Sequence, residues 1–204
     1  NIMLIGLEKE FFLLKDGKPQ PLTNLGLPCD ECGWLVEARG GPHVSIIDAV
    51  FSLKSSIYKI ERTLAAINAK LPADEPPYVL SDEPVMKIDR AVKVKCARTF
   101  AKGLISYQNL HGYESHRNAV SEGTAGVHVS FTKSQAVFHD NKKYEYHCNF
   151  DWPQIFIKLD EAFAEEIKES KRRPGFYELK TDGRVEYRSL PANVDLDKLI
   201  NVLV

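Results

Sequence analysis

The sequence predicts an α+β domain, a mostly antiparallel sheet with helices packed on one face. Three observations carry this reading. Strand-like runs outnumber helical ones. The connections between strands read as hairpins more often than as crossovers. The longest helical pattern has one apolar stripe, broad enough to cover a sheet face. The 204 residues suffice for a single domain with a sizeable core, spanning residues 1–204, and are too few for two comfortable ones.

The elements follow in order. Met3 to Leu14 reads as a strand, apolar except at Glu8, Lys9 and Glu10, and Gly17-Lys-Pro-Gln-Pro21 breaks it. A loop rich in Gly, Pro and Asn leads to a second strand, Trp34 to Arg39, which Gly40-Gly-Pro42 is expected to end. Ser45 reads as a helix N-cap with Asp48 at the capping-box position. Ile46, Val50, Leu53, Ile57, Ile60, Leu64, Ile67 and Leu71 then recur at three- and four-residue steps, the stripe of a helix over 45–71. Pro72 to Pro84 is a loop with a short strand at Tyr78-Val-Leu80. Residues 85–125 are mixed in charge and rich in Gly, Asn and His, and a long irregular insertion of this kind is often functional. Thr124 to Thr132 reads as a strand, and Ala136 to Cys148 as a hairpin turning at His139-Asp-Asn-Lys. Asp151 caps a second helix over 151–170, with Pro153 in its first turn and Ile155, Leu159, Ala162, Phe163 and Ile167 on its apolar face. Two last strands, Phe176 to Leu179 and Arg184 to Arg188, join through Thr181-Asp-Gly183. The chain begins without Met and ends inside an amphipathic segment, Leu196 to Val204, so the C-terminal boundary is left open.

Composition excludes several classes. Hydrophobic residues at 44% and charged residues at 27% describe a globular chain rather than a disordered one. A net charge of −1, with a pI near 6.7, supplies no global field for nucleic acid or an anionic membrane. No apolar run reaches the length of a membrane span. The opening Asn1-Ile-Met-Leu-Ile is too short for a signal peptide and has no basic leader. Four cysteines do not make a disulfide scaffold. The expectation is a soluble, cytoplasmic protein without nucleic-acid or membrane partners.

The chemistry is expected on the strands. Alternate strand residues share a face, so Glu8 and Glu10 point the same way. Two such carboxylates repel unless a positive group sits between them, and a divalent cation is one such group; a solvent-facing edge strand is the other explanation. The pattern recurs. Glu37 and Arg39 share a face of the second strand, Glu186 and Arg188 share a face of the last one, and His128 lies mid-strand with Ser130 on its side. Each Glu-x-Arg also reads as an intrastrand ion pair, and His128 alone reads as a satisfied core histidine. Together, carboxylates and one imidazole meeting on a sheet face form a ligand set for Mg²⁺ or Mn²⁺. Cys29-Asp-Glu-Cys32 has no second Cys-x-x-Cys to complete a zinc site, and it precedes a strand rather than opening a helix, so it reads as a turn. Arg172-Arg173 at the end of the second helix suits either helix capping or phosphate binding. No Walker A, GxGxxG or GxSxG motif occurs.

These residues resemble a known superfamily. Gly6-Leu-Glu-Lys-Glu-Phe11 resembles the Gly-x-Glu-x-Glu-Phe signature of the glutamine synthetase and glutamate–cysteine ligase fold. Asp30-x-x-Gly33-x-x-x-Glu37-x-Arg39 resembles its second carboxylate strand, Gly126-Val-His-Val-Ser130 its histidine strand, and Gly183-Arg-Val-Glu-Tyr-Arg-Ser-Leu190 its closing strand. Arg173 to Leu190 is similar to the C-terminal part of the bacteriophage-type carboxylate–amine ligases, or amidoligases. The resemblance implies a curved half-barrel with helices on its convex face, holding ATP and Mg²⁺ or Mn²⁺. It implies Glu8, Glu10, Glu37, Glu186 and His128 as metal ligands. It also implies His128, Ser130, Arg173 and Arg188 beside the nucleotide, and Arg39, Glu186 and Arg188 as catalytic groups. The implied reaction phosphorylates a small-molecule or peptide carboxylate with ATP and lets an amine attack the acyl phosphate, in the cytoplasm, that of a host where the chain is phage-encoded. Two rivals remain, a phosphotransferase on the same fold and a catalytically inactive relative that binds or regulates.

Overall fold

Period-two alternation along β1 (Leu4–Lys15) divides the molecule into an apolar and a charged half. Ile5, Leu7, Phe11 and Leu13 join the main core, while Glu8, Glu10 and Phe12 lie on the other side. Lys9 leaves this alternation without harm: its ammonium lies 3.4 Å from Asp82 and over the Phe11 ring, away from the glutamates beside it. The computed structural model describes residues 3–22, 24–30, 33–88, 107–109, 122–132, 134–139, 142–147, 151–180 and 184–204.

β1 is the centre of the sheet. On one edge it pairs with β3 (Leu35–His43), setting Glu8 opposite Arg39 and Glu10 opposite Glu37. On the other edge it pairs with β8 (Gly126–Thr132), setting Glu8 opposite His128. The distal half of β1 pairs with β2 (Lys18–Pro19) and β4 (Tyr78–Ser81). Beyond β8 come β12 (Val185–Pro191), β11 (Phe176–Leu179) and β6 (Tyr107–Asn109), and every pairing is antiparallel. The resulting eight-stranded sheet curls strongly into a half-barrel. Two separate ribbons join β5 (Val85–Lys87) to β7 (Glu122–Thr124) and β9 (Ser134–His139) to β10 (Lys142–His147). The expected hairpin is therefore present, although its turn residues 140–141, like the Thr181-Asp-Gly183 turn and most of 85–125, lie outside the described residues.

Helices cover the apolar face. α1 (Ile46–Asn68) starts where Ser45 Oγ accepts from the Ile47 amide, and it buries Ile46, Val50, Leu53, Ile60 and Leu64 as its stripe demands. The second helix divides at Phe163 into α2 (Trp152–Ala162) and α3 (Ala164–Glu169). Asp151 caps it through the Gln154 amide as expected, but its deepest residue near the start is Phe156 rather than Ile155, because Phe156 stacks among Phe131, Tyr177 and Tyr187. The C-terminal segment forms α4 (Leu196–Leu203), anchored by Leu199. Among the described residues no helix is long and apolar enough to cross a membrane.

The expectation that Gly40-Gly-Pro42 ends the second strand is overturned. β3 runs on to His43, which pairs with Ile5. Gly40 serves packing instead of breaking the strand: a Cβ there would lie 2.4 Å from the Leu53 amide nitrogen and 2.6 Å from the Ala49 carbonyl oxygen. Strand and helix backbones touch at this point, and only glycine lets them. Gly40→Ala should therefore cost about 3 kcal/mol of unfolding free energy through overpacking. Gly17→Ala, in a turn at φ +71° with open space around it, should cost only about 1 kcal/mol. Urea denaturation measures both, and equal losses would contradict the close-packing account.

Candidate metal centre

Five strands deliver charged side chains to the face opposite the helices. β1 contributes Glu8 and Glu10, β3 Glu37 and Arg39, β8 His128 and Ser130, β12 Glu186 and Arg188, and β11 Glu178 with Lys180 just beyond it. On β3, β8 and β12 the residue between the two members is directed to the core: Ala38, Val129 and Tyr187. β1 and β12 are separated by β8, about 9.5 Å at the backbone. Yet one ligand atom each from Glu8, His128 and Glu186 lies within 4.8 Å of the others. Side chains converge like this only on the concave side of a curl.

His128 occupies the centre. It is 2% exposed, and its Nδ1 lies 3.5 Å from Glu8 Oε2 and 3.6 Å from Glu186 Oε1 without a hydrogen-bond partner. Nε2 lies 3.8 Å from Glu10 Oε1. Burial, then Arg188, Arg172 and Lys180, hold the ring well below its ordinary pKa, so it is neutral. A buried neutral imidazole with an orphaned nitrogen between two carboxylates has the chemistry of a metal ligand, and an ion a little over 2 Å from each donor is compatible with the spacing. The donor set suits a hard divalent cation.

The surrounding carboxylates are stabilised in different ways. Glu10 is buried, and its Oε2 accepts from the Gly126 amide at 2.8 Å. Burial still outweighs Arg188, Arg172 and that amide, and pushes its pKa up to about 8. Glu37 accepts from Arg39 Nε at 2.5 Å, and burial together with Glu8 pushes it to about 7. Burial and Glu8 act to raise the Glu186 pKa, while Arg188 and Lys180 act to lower it. Ser130 Oγ donates to Glu186 Oε2 at 3.2 Å, and Arg188 bonds Glu186 Oε1. Both Glu-x-Arg pairs are thus intrastrand ion pairs as well as members of the cluster.

Two residues of this face, Glu178 and Lys180, were not anticipated from the sequence. Glu178 lies opposite Glu186 and accepts from both Lys180, at 3.0 Å, and Arg188, at 3.0 Å. Glu178-x-Lys180 repeats the alternation that exposes Glu37-x-Arg39 and Glu186-x-Arg188, so the same reading finds it. Arg172 sits deeper. Its guanidinium donates to the carbonyls of Ala125, at 3.1 Å, and Arg188, at 2.9 Å, filling the space where a Gly126 Cβ would be. Its neighbour Arg173 is half-buried, with its carbonyl accepting from Ser189 Oγ at 2.6 Å. Cys29 is a free, exposed thiol, and Asp30 Oδ1 beside it accepts from the Gly33 and Leu35 amides, a turn leading into β3. Cys32 lies outside the described residues.

Comparisons with family models, with curated proteins and with solved structures found no match to the chain.

The pKa shifts set a pH dependence. In chelator, folded Glu10 keeps its proton up to about pH 8, whereas unfolded it ionises near 4.5. Its stability contribution is complete below pH 4.5 and lost as pH rises towards 8, and Glu37 behaves alike up to about 7. Urea melts in EDTA should show stability falling across that window, and Glu10→Gln should flatten the fall. Cys29→Ser should leave the metal content of the purified protein unchanged; loss of stoichiometric zinc would reverse the assignment of that turn.

Proposed function

We propose that the protein is an ATP- and divalent-metal-dependent carboxylate–amine ligase that forms an amide bond. The observation that carries this reading is the orphaned His128 Nδ1 between Glu8 and Glu186 on the concave face of an antiparallel half-barrel. It is supported by the four motifs of the resemblance, which lie on adjoining strands and turn their polar residues to one face. Glu8, His128 and Glu186 hold the ion, with Glu10 and Glu37 joining as they ionise. When bound, Mg²⁺ or Mn²⁺ neutralises triphosphate oxygens so that an anionic carboxylate can approach. Arg39, 70% exposed at the open edge, meets the incoming anion. Arg188 and Ser130 fix the Glu186 carboxylate, and Arg173 lies where the β11 end of the face meets the helices. The charges that phosphoryl transfer develops then meet dipoles and cations already in place.

ADP release that requires both the divalent ion and an added amine, with an amide found by mass spectrometry among products from pooled amino acids and polyamines, is the expected result. Amine-independent transfer would favour a phosphotransferase, and a protein that binds neither ATP nor Mn²⁺ would be an inactive relative.

Two variants separate the metal role from a structural one. Glu8→Gln should hold its melting temperature in chelator, because the residue is half-buried and its nearest cation, Arg39, keeps Glu37. It should lose the rise that Mn²⁺ produces in the native protein. Glu186→Gln should lose that rise too, and in addition about 2 kcal/mol in chelator, since the half-buried Lys180 and Arg188 lose a carboxylate partner. Thermal melts with and without Mn²⁺ read both effects, and an undiminished Mn²⁺ rise in Glu8→Gln would refute the metal assignment.

A further inference from the structure

We propose that Lys180 is a built-in cation that holds the place of a metal ion between Glu178 and Glu186, confining divalent ions to the Glu8–His128 side of the face. The inference rests on the reading of this face as a cation site, and it concerns how many ions enter and where.

The sheet sets two pairs of glutamates directly opposite each other, Glu10 with Glu37 and Glu178 with Glu186. Like charges in cross-strand register destabilise a sheet, more so when buried. The two pairs are neutralised differently. At the first pair, Arg39 at the solvent edge bonds Glu37 and the Gly126 amide donates to Glu10. At Glu178 and Glu186, which are 3% and 0% exposed, two cations bridge both carboxylates. Lys180 Nζ lies 3.0 Å from Glu178 Oε2 and 3.5 Å from Glu186 Oε1, and Arg188 Nη1 bonds the same two oxygens. Two negative and two positive groups alternate, and the formal charge is zero.

Lys180 is held there by the backbone. Its amide donates to the Arg184 carbonyl at 2.9 Å, which closes the end of the β11–β12 pair, and strand alternation aims its side chain along Glu178. An ammonium is a compact point charge whose donors reach several oxygens at once, so it serves two carboxylates much as an ion would. Glu186 turns Oε2 to Ser130, and its Oε1, shared by Lys180 and Arg188 on one side, lies 3.6 Å from His128 Nδ1 on the other. Lys180 is therefore a positioning residue: it commits Glu178 and presents Glu186 to the ion on the histidine side.

Counting bound Mn²⁺ tests this, with free Mn²⁺ read by electron paramagnetic resonance during titration of the full chain. Lys180→Met removes the ammonium and keeps an unbranched apolar stem, and should bind one Mn²⁺ per chain more than the native protein. Lys180→Arg keeps the charge and should match the native count. Adding Glu178→Gln to Lys180→Met should abolish the extra ion. Glu178→Gln alone should leave the native count unchanged, and it carries the test if Lys180→Met fails to fold. An unchanged count in folded Lys180→Met, or a lower count in Glu178→Gln, overturns the proposal. The ligase reading fails separately: a native protein that binds no Mn²⁺, beside a Lys180→Met variant that gains one, sinks that reading and leaves standing only the place that Lys180 holds between Glu178 and Glu186.

Discussion

Carboxylates buried side by side on one sheet face repel, and the middle of this molecule is organised around that repulsion. Backbone register sets Glu10 against Glu37 and Glu178 against Glu186, and curvature brings Glu8 and Glu186 to the same imidazole. Four means of relief appear: a backbone amide for Glu10, an arginine at the edge for Glu37, a lysine and an arginine for Glu178 and Glu186, and raised proton affinity where these fall short. An orphaned nitrogen at the centre completes the picture, since it gains nothing from any of the four.

The opposite face makes this arrangement tolerable. Repulsion on one side of a sheet must be outweighed by burial on the other, and each charged residue is flanked along its strand by core residues such as Leu7, Ala38, Val129 and Tyr187. A second set of bonds ties the helices to the strand ends. Asp160 on α2 accepts from the Tyr187 hydroxyl at 2.5 Å and from the Gly175 amide at 2.9 Å, and Ser189 links Arg173 to Phe176. Arg172, bonded to the carbonyls of Ala125 and Arg188, ties the start of β8 to the middle of β12. The loop entering β11 is thereby fixed from three directions, and Arg188 is fixed through its own backbone.

Much of this was legible in the sequence because alternation is a local property. The strands carrying Glu8, Glu37, His128 and Glu186, the 45–71 helix with its Ser45 cap and the Asp151 cap all follow from period and turn chemistry. What escaped depends on contacts distant in the chain. Gly40 reads as a breaker until α1 is seen lying against it. Phe156 outranks Ile155 because three aromatic rings from β8, β11 and β12 surround it. Arg172 and Arg173 are neighbours of one type, and only the fold separates their roles. Lys180 was readable by the same alternation as Arg39 and Arg188, but its importance appears only when Glu186 is found across from Glu178.

β1 also governs when the centre comes into being. It exchanges hydrogen bonds with β2 and β3, which follow it closely, and with β8, which arrives only after more than half the chain. Contacts of such long reach form late, because loop-closure entropy opposes them until enough burial accumulates. During synthesis Glu8 and Glu10 emerge early, with only Arg39 and Glu37 for neighbours, while His128 and Glu186 come from the second half of the chain. The Glu8–His128–Glu186 cluster comes together only when β8 lies between β1 and β12, so its assembly waits on the closing of the whole sheet.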